Sequence, residues 1–87
     1  MPSKPYLFAN RAKRAIAMGG AMPAVLNAAD EVAVAAFLSE RLSFLEISEV
    51  VESVFDKLSD RVGVSSLEGI IAADREARKL AEEEIRI

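Results

Sequence analysis

The segment from Pro23 to Glu40 constrains the fold more than any other part of the sequence, because it is apolar on nearly every side. Residues 19 to 38, GGAMPAVLNAADEVAVAAFL, contain fourteen apolar residues around one polar cluster made of Asn27, Asp30 and Glu31. Proline suits the first turn of a helix, and a helix without a broad polar face is usually covered by neighbouring helices. The segment therefore predicts the central helix of a bundle.

A first helix is expected before this segment. Asn10 is a candidate N-cap, and the glycine pair at positions 19 and 20 is typical of a helix end. Two prolines among the first five residues favour an extended backbone there. We accordingly divide the chain into residues 1–9, an extended segment or linker remnant, and residues 10–87, a helical bundle domain.

A third helix is predicted by a capping box in which Ser43 is followed three residues later by Glu46. The apolar residues after it recur at the spacing of one helical face: Ile47, Val50, Val51, Val54, Phe55 and Leu58.

A second capping box, Ser65 with Glu68, predicts a short helix up to about Ala73. Asp74 is then the expected N-cap of a final charged helix. No segment alternates polar and apolar residues with the period of a strand. The predicted fold is an all-α bundle of four or five helices.

The composition excludes several kinds of chemistry. The chain contains no cysteine and no histidine, which removes thiolate nucleophiles, imidazole bases and the usual zinc ligands. The four basic residues in positions 1–29 lack interleaved aromatic residues, so we interpret them as a solvated helix face and expect no nucleic-acid binding. The apolar runs are too short for a membrane span, and no targeting leader is evident. We expect a cytoplasmic protein without membrane contacts.

The polar cluster of Asn27, Asp30 and Glu31 has two interpretations. Carboxylates one helical turn from an amide can act as a general base or bind a hard cation such as magnesium. Buried polar groups more commonly bond to the backbone of a neighbouring loop or domain, and we favour this docking role. We expect Asn27 to be mostly buried and Glu31 to lie nearer the exposed edge. We assign no catalytic, cofactor-binding or metal-binding residue.

Two long runs resemble a known family. GGAMPAVLNAADEVAVAAFLSERLSFLEISEVVESVF and SLEGIIAADREARKLAEEE are similar to the C-terminal helical domain of 1-deoxy-D-xylulose 5-phosphate reductoisomerase, and the likeness covers nearly all of residues 9 to 87. Asp30 stands where the family usually has Asn, so its partner must be a donor or a cation, because an ionised carboxylate only accepts hydrogen bonds. Ala21 stands where a Thr or similar residue is common, which removes an expected N-cap.

The resemblance implies an enzyme that isomerises and reduces its substrate with NADPH and a divalent metal, Mg or Mn, in the non-mevalonate route to isoprenoid precursors. In that family the nucleotide lies on an N-terminal Rossmann domain, and the metal and phosphate ligands lie on a central domain. The partners of this chain would be those domains of the same enzyme. Two alternatives stay open: a stand-alone helical interaction module, and the helical domain of a related oxidoreductase with another substrate. Weak self-association of the isolated domain also stays open.

Overall fold

The computed structural model describes the backbone of residues 3–86 and the side chains of residues 11–85. Within that part of the chain there are four α-helices, one 3₁₀ helix and no strand: α1 (Ser3–Met18), α2 (Met22–Leu38), α3 (Phe44–Lys57), the 3₁₀ helix (Ser59–Gly63) and α4 (Leu67–Arg86). The predicted all-α bundle is confirmed. No helix in the described range is long and apolar enough to cross a membrane.

The first helix begins earlier than the sequence predicted. Since α1 starts at Ser3, Asn10 lies inside the helix, and the predictions of an Asn10 cap and of an extended backbone up to residue 9 are wrong for the described residues. Pro5 falls within the first turn, where the missing N–H would have no helical partner. Residues 1 and 2 lie outside the described part. The division of the chain at residue 9 stays a prediction.

The turn between α1 and α2 requires glycine. Gly20 has a φ of +59°, and a Cβ at this position would collide with the backbone carbonyl of Val62 in the 3₁₀ helix. The next residue, Ala21, is fully buried and donates its N–H to the Arg61 carbonyl at 3.1 Å. No side chain caps α2, as expected from an alanine at this position. The turn is therefore held by packing on the 3₁₀ helix.

Helix α2 lies at the centre of the bundle, in contact with the other three helices. Its buried face is rich in alanine, which permits close approach of the neighbouring backbones: Met22, Val25, Leu26, Ala28, Ala29, Ala33 and Ala36. However, Val34, Phe37 and Leu38 are exposed, and Leu38 keeps 73% of its accessible surface. The central position is confirmed, but the expectation that neighbours cover every side of α2 is wrong.

Helix α3 follows its sequence pattern closely. The Glu46 N–H donates to Ser43 Oγ at 3.2 Å, and the Ser43 N–H donates to Glu46 Oε1 at 2.8 Å, so the predicted capping box is confirmed. All six apolar residues assigned to its inner face are buried. They pack against α2 and α4 to form the core with Phe55 as its largest fully buried side chain.

The last two predicted helices are one continuous helix, α4. Its first turn is capped by Ser66, whose Oγ accepts from the Gly69 N–H at 3.0 Å, so the prediction of Ser65 as the cap is wrong. Asp74 lies inside α4 and is not a cap. The alanines at positions 73, 77 and 81 are fully buried one turn apart. Because they pack on the core without interruption, the helix stays continuous where a break was expected near Asp74.

Candidate functional site

The three residues of the polar cluster do lie together on α2, but the cluster is more exposed than expected. Asn27 is exposed, and its Nδ2 donates to Glu31 Oε2 at 3.5 Å, which is the outer limit for a hydrogen bond. The expectation that Asn27 is mostly buried is therefore wrong, and no hydrogen bond joins its side chain to a loop backbone among the described residues. One turn separates the two residues, so they interact as surface neighbours of the same helix. Asn27 keeps most of its hydrogen-bonding capacity available to a partner.

Glu31 connects α2 to α4 through an arginine that the sequence did not point to. The Arg78 guanidinium donates to Glu31 at 2.8 Å and, through Nε, to Asp74 at 2.7 Å. These hydrogen bonds, and the one to Asp74 most of all, raise the pKa of Arg78 above its ordinary value. Glu31 and Arg78 are 47 positions apart, so no local sequence signal joins them. Asp74, expected to be a cap, instead positions this arginine.

Asp30 is the half-buried member of the cluster. Burial raises the pKa of its carboxyl group, and the positive charge of Arg11 opposes that effect only in part. Among the described side chains none hydrogen-bonds to Asp30. The carboxyl lines a groove of about 240 Å³ between α1 and α2, whose other walls are mainly apolar and include Ile16, Pro23 and Leu26. The site can thus accept a donor that lies above the groove.

Arg11 is a second polar residue whose burial the sequence did not predict. The sequence predicts a solvated face for the basic residues of α1. Arg11 is nevertheless only 4% exposed, whereas Lys13 and Arg14 are exposed. Its Nη2 donates to Ser48 Oγ at 2.6 Å and its Nε donates to Glu52 Oε1 at 2.9 Å, so Arg11 joins α1 to α3. The hydrogen bond from Arg11 is the main reason that the pKa of Glu52 is lowered.

The acidic end of α4 is also more organised than a solvated helix end. Glu84 accepts from Lys57 Nζ at 2.6 Å and from Ser53 Oγ at 2.9 Å, and both bonds lower its pKa, that from Lys57 most. Glu82 lies 3.6 Å from Arg41. These pairs attach the last turns of α4 to α3 and to the α2–α3 connection, so we assign them a structural role.

The described residues do not fit a resident metal ion. Between residues 3 and 86 no group of three or more Asp and Glu side chains converges as metal ligands would. The sequence contains no glycine-rich loop between a strand and a helix of the kind that binds a dinucleotide. We therefore derive no chemical step for a metal or nucleotide on these residues.

Fold and site together define a small α-helical bundle domain that carries a polar cluster on its central helix. Residues 2–80 match the family model described as the DXP reductoisomerase C-terminal domain. The chain belongs to this family.

Several curated relatives support the assignment. The chain is 55% identical over 74 residues to 1-deoxy-D-xylulose 5-phosphate reductoisomerase of Thermodesulfovibrio yellowstonii, a match that covers 85% of this chain and 19% of the relative. It is 50% identical over 72 residues to the enzyme of the same name from Burkholderia multivorans, covering 83% of this chain and 18% of the relative. The chain thus spans about a fifth of the length of these relatives.

Proposed function

We propose that this chain acts as the C-terminal helical support domain of a 1-deoxy-D-xylulose 5-phosphate reductoisomerase. The observation that carries the proposal is the family match over residues 2–80. In the complete enzyme, NADPH and a divalent metal ion supply the reduction and the activation of the substrate, and both belong to domains outside this chain. The partners of the chain are those domains, and its location is the cytoplasm.

The polar cluster of Asn27, Asp30 and Glu31 is proposed to be a docking anchor for the rest of the enzyme. Asn27 is exposed and engaged only by a long contact to Glu31, and Asp30 is half-buried without a hydrogen-bonding side chain among the described residues. Both observations support a role in binding a further part of the polypeptide. A buried carboxylate is stabilised when a donor approaches it, so docking would relieve the unfavourable environment of Asp30.

A domain exchange tests the proposal. The segment of the Thermodesulfovibrio yellowstonii enzyme that matches this chain is replaced by residues 1–87, and the chimera is assayed for oxidation of NADPH with 1-deoxy-D-xylulose 5-phosphate. We expect turnover within about tenfold of the parent enzyme, which corresponds to a change in the activation barrier of roughly 1.4 kcal/mol or less. The matched control is the parent enzyme with the segment deleted, which should be inactive. A folded chimera without turnover would contradict the proposal.

The 87-residue chain alone is expected to turn over no substrate and to bind neither NADPH nor magnesium in the low micromolar range. Titration calorimetry measures both affinities directly. A micromolar dissociation constant for NADPH would mean that the chain carries a nucleotide site of its own and would contradict its assignment as a support domain.

A further inference from the structure

We propose that the rest of the reductoisomerase polypeptide packs on one defined surface of this domain, the exposed stripe of α2. The stripe consists of six residues that follow helical spacing along one side of α2: Pro23, Asn27, Asp30, Glu31, Val34 and Leu38. The inference rests on the proposed function and goes further by naming the surface through which the domain acts.

The stripe differs from the solvent face of α3 beyond the first two residues of that helix. Phe44 and Leu45 at the start of α3 are 49% and 56% exposed, but after these two residues the exposed side chains of α3 are all charged: Glu46, Glu49, Asp56 and Lys57. A charged face of this kind is typical of one that stays in water. The α2 stripe has apolar side chains at both ends, and Val34 and Leu38 are 42% and 73% exposed. Its polar members lie in the middle. An apolar surface with a central group of hydrogen-bonding side chains is typical of a protein interface and not of a free surface.

Further exposed apolar side chains lie beside the stripe, on α1 and at the C-terminal end of α2. On the α1 side, Ile16 is 73% exposed and lines the same groove as Asp30. At the other end, the rings of Phe37 and Phe44 meet edge to face at 6.0 Å, and both keep a third or more of their surface exposed. Exposed apolar side chains thus occur on α1, on α2 and at the start of α3. Asp30 lies among them and is an acceptor without a hydrogen-bonding partner among the side chains that the structure describes.

The area of the stripe alone is small for a complex between two independent proteins. A helix of seventeen residues is about 25 Å long, so a stripe about 10 Å wide offers roughly 250 Å². Independent partners need roughly 800 Å² each for a stable complex. Domains of one chain meet at high effective concentration and do not need so large a contact. The match covers 19% of the Thermodesulfovibrio yellowstonii relative, so four fifths of that polypeptide are available to cover the stripe.

Single-cysteine labelling of the chimera tests this surface. The chain has no cysteine, so an introduced thiol is the only one within it. Leu38→Cys places the thiol on the stripe, and Leu67→Cys on α4 is the matched control, because the two leucines are 73% and 72% exposed in the domain. Alkylation by iodoacetamide is followed by mass spectrometry of the peptide concerned. We expect Leu38→Cys to react at least about tenfold more slowly than Leu67→Cys, because a covered thiol reacts only on local opening.

The outcomes separate this inference from the proposed function, because turnover is measured in the same samples. An active chimera in which the two thiols react at equal rates would contradict the stripe as the docking surface and leave the proposed function standing. Equal protection of both thiols would also contradict it, since the stripe would not be singled out. A chimera without turnover would contradict the proposed function, and the identity of the occupant would fall with it.

The same two variants in the 87-residue chain alone distinguish a second copy from the attached polypeptide. The thiols should then react within about twofold of each other at every protein concentration, because both are exposed in the domain. If Leu38→Cys became protected as the concentration rose, a second copy of the chain would be the occupant and our assignment of the stripe would be wrong.

Discussion

Replacement of Arg11 by methionine should destabilise the bundle, because Arg11 is the buried polar link between α1 and α3. Its guanidinium donates to Ser48 Oγ at 2.6 Å, to the Ser48 carbonyl at 3.3 Å and to Glu52 Oε1 at 2.9 Å. Methionine keeps an apolar stem of similar length and removes these donors. The substitution therefore tests the hydrogen bonds and the charge with little change in side-chain packing.

The magnitude follows from what each partner loses. Ser48 is only 9% exposed, and a buried group left without its partner costs about 1–3 kcal/mol. The Glu52 side chain is 42% exposed, so water replaces Arg11 and the loss of this ion pair costs about 1 kcal/mol or less. Methionine also removes the cost of burying a guanidinium, which offsets part of the loss. We expect a net loss of about 2 kcal/mol, which would lower the urea midpoint by about 1–2 M.

Urea unfolding followed by circular dichroism measures this loss. Lys13→Met is the matched control, since it makes the same change at an exposed position of α1 and should cost less than about 0.5 kcal/mol. If Arg11→Met unfolds within about 0.5 kcal/mol of both the parent chain and the control, the hydrogen bonds of the guanidinium do not stabilise the bundle and our reasoning is refuted.

The pH dependence gives an independent check on the same pair. The pKa of Glu52 is lowered in the folded chain, chiefly by the hydrogen bond from Arg11, so the unfolded chain is protonated first on acidification. The contribution of Glu52 is complete above its usual pKa of about 4.3 and is lost as the pH falls through the lowered pKa. Asp30 also narrows the gap at low pH. The charge of Arg11 favours the ionised form of Asp30 against the effect of burial, and this benefit is lost when the carboxyl group is protonated. The stability gap between the parent chain and Arg11→Met should therefore narrow below about pH 4; a constant gap from pH 7 to pH 3 would contradict this.

Three further substitutions have expected outcomes in the same urea assay. Ser43→Ala should cost about 1 kcal/mol and Glu46→Ala less, because the hydroxyl is the N-cap acceptor of α3; the reverse order would contradict the capping box as drawn. Gly20→Ala should cost clearly more than the roughly 1–2 kcal/mol expected for Gly19→Ala, since both have positive φ but only a Cβ at position 20 meets the backbone of the 3₁₀ helix. Asn27→Ala should cost less than about 0.5 kcal/mol in the 87-residue chain, and a loss above 1 kcal/mol would mean that its side chain is bonded more strongly than the 3.5 Å contact implies.

Local signals in the sequence predicted α3 well because its determinants lie within the helix. The Ser43–Glu46 capping box and the apolar spacing from Ile47 to Leu58 are both set by residues a few positions apart. The same kind of signal failed at Asp74. Aspartate favours an N-cap but is also tolerated inside a helix. Here the Asp74 carboxylate pairs with Arg78 one turn later, and the alanines at positions 73 and 77 are buried against the core. Propensity at one position is weaker than packing along five turns.

The charged residues show the limit of local reasoning more plainly. Arg11 and Lys13 are two positions apart in a basic segment, yet Arg11 is buried against α3 while Lys13 is exposed. Arg11 differs because its side chain bonds to Ser48, which lies 37 positions away in the sequence. The bond from Arg78 to Glu31 joins residues that are even further apart in the sequence. Such pairs depend on the tertiary arrangement, which a single sequence read by period and spacing does not contain.

The expectation that neighbouring helices cover every side of α2 is wrong for a different reason, which bears on the proposed docking surface. The segment is apolar on nearly every side, and the sequence therefore predicted neighbours all around it, but the described helices cover only one side. Hydropathy reports all the surfaces that a helix is adapted to meet, including those of domains outside this chain. If the rest of the reductoisomerase covers the stripe that ends at Leu38, the hydropathy of α2 and its exposure in this domain are consistent with each other. The half-buried carboxyl of Asp30 then gains the donor that the described side chains do not provide.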